Sequence, residues 1–167
     1  MFMEANIDDS RKRLLDAALR LFTEKGYAAA SVNEIVTAAG VTKPMLYYYF
    51  KNKEGIYLEL MNQAFLDFRA LMVRYSDIQS DIFVHIDNLF QDIFKLQSER
   101  MDNTRLIYAM IYGPPQGAPY IDFDEYHDIM SNLISSLITK GIENGEFEYV
   151  EAVDFTTILI SVLFFCL

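Results

Sequence analysis

Residues 31–54 read SVNEIVTAAGVTKPMLYYYFKNKE, and their spacing sets the architecture. Ser31 and Glu34 form an S-x-x-E capping box at the start of a short helix whose Ile35, Val36 and Ala39 face inward. Gly40 ends that helix as a residue able to take positive φ, and Val41 plugs the turn. Thr42 stands where a cap belongs, and Pro44 falls in the first turn of the next helix, where a missing N–H is harmless. Leu46 and Phe50, one turn apart, point to the core. Tyr47, Tyr48 and Tyr49 occupy three consecutive helical positions, so one core cannot hold them all. Two short helices joined by a glycine turn, the second carrying exposed aromatic and basic side chains, imply a device for entering the major groove of DNA.

On either side of this stretch the pattern stays helical, and the spacing predicts an all-α fold. A helix is predicted from Asp8 to Lys25, started by Asp8, Asp9 and Ser10, with Leu14, Leu15, Ala18, Leu21 and Phe22 as its buried stripe. Gly26 closes it, and Tyr27 packs in the turn. Beyond the short linker KNKEG, a fourth helix covers about 53–75, with Leu58, Met61, Phe65, Phe68 and Met72 as one apolar face. A fifth covers about 81–99, with Ile82, Ile86, Leu89, Phe90, Ile93 and Phe94 inward. The sixth, about 103–112, is stopped by GPPQGAPY (residues 113–120). The seventh, about 122–144, buries Tyr126, Met130, Leu133, Ile134, Leu137 and Ile138 and ends at Gly145; the eighth starts near Val150 and is still apolar at Leu167. The domain division implied is 1–53, a three-helix helix-turn-helix DNA-binding domain, and 54–167, a helical ligand-binding and dimerisation domain cut short at its C-terminus.

Charge divides the same way. The net charge is −10, yet residues 1–55 hold eight Lys/Arg against seven Asp/Glu, and residues 56–167 hold six against seventeen. An acidic body repels nucleic acid, so DNA contact is confined to the N-terminal module. The near-neutral charge of that module implies that it acts in pairs. The one cysteine, Cys166, forms no internal disulfide, which points to a reducing cytoplasm, and no Cys/His cluster suggests a metal. The first residues carry acids and no apolar run, so no signal peptide is expected. The last run, FTTILISVLFFCL, is too short to span a membrane. No nucleophile–base arrangement or phosphate loop is legible, so neither a catalytic role nor a cofactor is expected.

The run from Leu14 through Lys53 resembles the DNA-binding domain of TetR-family transcriptional regulators: AALRLFTEKGY, then S-x-x-E-I-V-x-A-A-G-V, then T-K-P-M-L-Y-Y-Y-F-K-N-K-E. The resemblance implies base readout at Lys43, Pro44, Met45 and Tyr48, with Tyr47, Tyr49, Lys53, Ser31 and the amides behind Thr42 on phosphates. Asn33 matches a position that reaches a base or the backbone. Departures from the family pattern fall at Pro44 and Met45, where many members carry Gly or Thr, and at Tyr49, where many carry His. The family's layout ends in two long pairing helices, of which only the first is visible here.

In the second part, Met and aromatic side chains form a core that re-packs easily around apolar ligands. Candidate lining residues are Phe65, Phe68 and Met72, then Phe90 and Phe94, then Tyr108 and Met130. A helical wheel adds two polar candidates on the fifth helix, Gln97 and Arg100. His85 and His127, at the edges of their apolar faces, read as capping or solvated histidines, and Asp87 and Asp92 as solvent-facing. The reading that results is a homodimeric cytoplasmic regulator, in most cases a repressor, partnered by a near-palindromic double-stranded operator and a small hydrophobic effector. Two rivals are a helix-turn-helix protein acting through a protein partner and a membrane-associated receptor anchored by its last apolar run.

Overall fold

The computed structural model describes residues 2–78, 81–114, 116–148 and 151–165; expectations placed on Pro115, Val150, Cys166 and the Asp8 side chain fall outside the description. Among the described residues there are eight helices and no strand: α1 (Phe2–Ala29), α2 (Val32–Ala39), α3 (Lys43–Phe50), α4 (Lys53–Arg74), α5 (Ile82–Glu99), α6 (Met101–Tyr112), α7 (Asp124–Glu143) and α8 (Ala152–Phe165). The fold is all-α. Helix α1 starts six residues before Asp8, because FMEANI holds no residue that breaks a helix. Gly26 interrupts it with φ 83° and ψ 162°, a conformation that ends the regular turn as the sequence implied.

Two compact units are present, and both draw on two stretches of chain. The first comprises Met1–Ala64 and Arg100–Ile121. In it α1 packs against α2, α3 and α6. Leu14, Ala18 and Phe22 of α1, Ile35 of α2, Leu46 of α3, Ile56, Tyr57 and Met61 of α4 and Leu106 of α6 are buried. Each of the buried Leu, Ile, Phe and Met side chains contributes about 1.5–3 kcal/mol relative to exposure. Phe22, Tyr27 and Tyr57 form an aromatic trio with ring centroids 5.0–5.9 Å apart. Burial pushes the Tyr57 phenol up to about 12, so it stays a donor, and its hydroxyl reaches Met110 Sδ at 2.6 Å.

The second unit comprises Phe65–Glu99 and Asp122–Leu167. Leu71 and Met72, Leu89 and Ile93, Ile134 and Leu137, and Ile160 and Leu163 form its core across α4, α5, α7 and α8. Glu146 accepts from the Ile82 amide at 2.7 Å, which satisfies a donor at the start of α5.

Two expectations are corrected here and a third is narrowed. Leu58 is exposed, because Ile56, Tyr57, Leu60 and Met61 take the inward face of that part of α4. His85 is buried, so of its two expected roles the solvated one falls and the capping one stands: its Nε2 donates to the Tyr75 carbonyl, just past the end of α4, at 3.0 Å, and its ring meets Tyr75 edge-on. Asp92 is not simply solvent-facing: it accepts from the Tyr75 hydroxyl at 2.6 Å and pairs with Arg74. The last two changes have one cause. The chain turns back after α4, which brings Tyr75 onto α5.

Candidate nucleic-acid interface

The candidate interface starts from a closed α2, with a capping box at one end and a left-handed glycine at the other. Ser31 Oγ accepts from the Glu34 amide at 3.2 Å, and the Ser31 amide donates to Glu34 Oε2 at 2.9 Å, closing the capping box. Lys25 pairs with the same carboxylate. Together, Lys25 first and Ser31 second, they hold the Glu34 carboxyl down at about 2. At the other end Gly40 adopts φ 63°, and the Gly40 and Val41 amides return to Thr37 and Val36 carbonyls at 3.2 and 3.0 Å. This turn sets the direction of α3.

Helix α3 is anchored by Leu46 and Phe50, both buried. Its other faces point outward. Tyr48 is 78% exposed and Tyr47 49%, Thr42, Lys43 and Pro44 are exposed, and Met45 and Tyr49 are half-buried. The Tyr48 and Tyr49 rings meet edge-on at 5.0 Å. Thr42 occupies the cap position, but its hydroxyl makes no capping hydrogen bond; only its carbonyl serves the helix, accepting from the Met45 and Leu46 amides. The expectation that the Thr42 side chain caps α3 is therefore corrected: Pro44 and the preceding turn start the helix without it. Ser31 and Asn33 belong to the neighbouring α2, Ser31 exposed at its cap and Asn33 exposed in its first turn. The sequence-derived set Ser31, Asn33, Thr42, Lys43, Pro44, Met45, Tyr47, Tyr48 and Tyr49 thus lies on α2, the turn and α3.

Lys53 has a structural task the sequence did not suggest. Its ammonium donates to the Tyr27 and Ala30 carbonyls at 2.8 and 3.0 Å and sits 4.1 Å from the Tyr27 ring centroid. Burial lowers its pKa. It ties the start of α4 to the segment after the Gly26 break. Asn52 Oδ1 caps the same helix by accepting from the Gly55 amide at 2.7 Å. The signal that would have revealed this role is the Gly-Tyr at 26–27, which leaves carbonyls without helical partners just before α2.

The candidate lining residues divide between the two units. Met72 and Met130 are core residues of the second unit, with Phe68, Phe90 and Phe94 packed on that core. Phe65 stacks on Tyr126 at 3.7 Å, and Gln97 is half-buried in the same unit. Arg100 and Tyr108 belong to the first unit. The wheel that placed Arg100 on the apolar face of α5 does not reach it, because α5 ends at Glu99 and Arg100 begins α6 with φ −118° and ψ 42°.

Residues 14–60 match the family described as bacterial regulatory proteins, tetR family. Over that N-terminal stretch the chain is similar to the DNA-binding part of that family. YdgC of Bacillus subtilis (strain 168), an uncharacterized helix-turn-helix-type transcriptional regulator, is 35% identical over 91 residues, half of this chain and 47% of that protein. IcaR of Staphylococcus epidermidis, a negative transcriptional regulator of the biofilm operon icaADBC, is 28% identical over 106 residues, 64% of this chain and 55% of its own length. The chain spans about half the length of those relatives. In three dimensions it is similar to the TetR-family regulator PfmR of Thermus thermophilus, with a TM-score of 0.75 over 92% of this chain and 82% of that one at 24% identity, a likeness of fold. All three are named as regulators of transcription and none as an enzyme.

Proposed function

We propose that this chain is a DNA-binding transcription regulator, a repressor released from a near-palindromic operator by a small, mostly hydrophobic effector. One observation carries the DNA part: α3 spends Leu46 and Phe50 on the core and leaves Tyr47, Tyr48 and Lys43 to solvent, with an unspent hydroxyl at Thr42. The Tyr47 phenol and the Thr42 hydroxyl suit phosphates, and Lys43, Pro44, Met45 and Tyr48 suit base edges and thymine methyls. A homodimer would set two such helices one helical turn of DNA apart, about 34 Å. DNA contact is assigned to residues 1–53 and effector and subunit contact to 54–167, in a cytoplasmic protein. Among the described residues no helix is long and apolar enough to cross a membrane.

The effector part draws support from the first unit. Helix α6 and the turn after it meet α1 at two points and α4 at a third: Thr23 Oγ1, which donates to the Leu19 carbonyl at 2.9 Å, also lies 3.3 Å from the Asp102 carbonyl, the Gln116 side chain lies against Gly26, and the Tyr57 hydroxyl of α4 meets Met110 Sδ. A side chain at position 26 would collide with Gln116, its Cβ falling 2.0 Å from the amide oxygen. An apolar ligand that displaced α6 would therefore shift the Gly26 break and, through Lys53, the start of α4. By linkage such a ligand weakens operator binding as much as the operator weakens ligand binding. Selection of duplexes from a random-sequence pool tests the reading: a recovered site with two half-sites related by a dyad supports it, and no enrichment above unselected DNA overturns it.

A further inference from the structure

We propose that Arg13, on α1 and outside the helix-turn-helix, is a further DNA contact, a clamp on one phosphodiester beside the start of α3; this rests on the DNA-binding reading above. The sequence at 11–13 is Arg-Lys-Arg. Its members have different fates. Arg11 is spent inward, paired with Glu59 and lying 5.5 Å over the Phe50 ring. Lys12 stands in solvent. Arg13 leans on the turn between α2 and α3: its Nη1 comes within 3.5 Å of where a Gly40 Cβ would stand.

The turn does not need that guanidinium. Its amides at Gly40 and Val41 are already bonded to Thr37 and Val36 carbonyls. Arg13 in turn uses little of its own capacity. Nη2 donates to Ser10 Oγ at 3.2 Å, and Asp9 Oδ2 approaches Nε to 3.1 Å without forming a hydrogen bond. The guanidinium keeps Nη1 hydrogens for another acceptor, and its side chain is 42% exposed. The pair with Asp9 is an exposed i,i+4 pair, worth about 0.3–0.5 kcal/mol, so a phosphate displaces it at little cost. A planar fork beside the turn that leads to the Thr42 hydroxyl and the first amide of α3 matches a phosphodiester oxyanion, which accepts from several donors at once. The arrangement also answers the charge problem of a module with one excess cation: each guanidinium aimed at the duplex counts.

Arg13→Gln and Asp9→Asn make the test, read by the salt dependence of binding to a duplex enriched by the wild-type protein from a random-sequence pool. Removal of one phosphate contact per protomer lowers the slope of log K against log salt by about 0.9 per protomer and weakens binding at 0.1 M salt about eightfold per protomer. Asp9→Asn frees the guanidinium and tightens binding. Asp16→Asn, an exposed acid two turns further along α1, is the control for general charge and leaves the slope unchanged. A purely structural role for the Asp9–Arg13 pair predicts that both of its variants act in the same direction with the slope intact, and that result overturns the inference while leaving the regulator reading in place. Failure of the wild-type protein to enrich any duplex removes both.

Discussion

Helices α2 and α3 are each eight residues long and sit side by side, but they treat their ends in opposite ways. At α2 both ends are closed: Ser31 and Glu34 cap each other, Lys25 adds a charge, and Gly40 returns the chain to the last carbonyls. At α3 the cap hydroxyl bonds nothing in the helix, Pro44 has removed a donor, and two tyrosines stand in water. The contrast amounts to a division of labour. The first helix is stabilised by its own ends, so the second can leave its polar groups for another molecule. Under the proposed function the ends of α2 serve stability and the outward face of α3 serves recognition.

The strongest challenge to that division is the double variant Tyr47→Ala/Tyr48→Ala. A phenolic bond from Tyr47 to a charged phosphate is worth about 1.5–3 kcal/mol and the base contact of Tyr48 about 1–3 kcal/mol, so operator affinity should fall at least about fiftyfold in a titration. The urea midpoint should stay within the range of ordinary surface changes, because neither ring is core. A large loss of stability with DNA binding intact would reverse the assignment of the two helices.

A finer cut sets the two cap residues against each other. Ser31→Ala removes a capping box and should cost about 1 kcal/mol in chemical denaturation. Thr42→Ala removes a hydroxyl with no role in its helix, so stability should change by less than about 0.5 kcal/mol while operator affinity drops about tenfold. Equal stability losses at the two positions would erase the distinction between spent and unspent ends.

The smallest effect concerns pH. Glu34 is held at about 2 in the folded chain against 4.5 for an ordinary glutamate, mainly by Lys25 and then by Ser31. A lowered carboxyl stabilises the fold when ionised: its contribution is fully present above about pH 4.5 and is lost as pH falls towards 2. The stability gap between wild type and Glu34→Gln should therefore shrink over that window in acid denaturation. A gap that stays constant from neutral pH down to about 2 would show that the carboxylate charge is not what closes the box.

Much of this was legible in the residues themselves. The capping box, the Gly40 turn, the buried pair Leu46 and Phe50 and the outward tyrosines follow from spacing within a dozen or so positions, because caps and helical faces depend on near neighbours in the chain. The apolar faces of α5 and α7 follow from the same periodicity. Leu58 and Asp92 were misread, and the choice for His85 between capping and solvent was left open, because each depends on a partner element that periodicity does not name. A helix has an inward side only relative to what packs on it, and Tyr75 reaches α5 through a turn in the chain, not through helical spacing.

Taken alone, the residues specify local choices: where helices begin and end, which face is apolar, and which aromatic side chains cannot all be buried. Which polar groups are already spent was settled by the assembled fold. It placed Lys53 on the carbonyls of Tyr27 and Ala30, Gln116 on Gly26 and Arg13 on the Gly40 turn, contacts between residues 23 to 90 positions apart. No local pattern encodes them, since a hydrogen bond or close approach between distant segments exists only once burial of the shared core has brought the segments together.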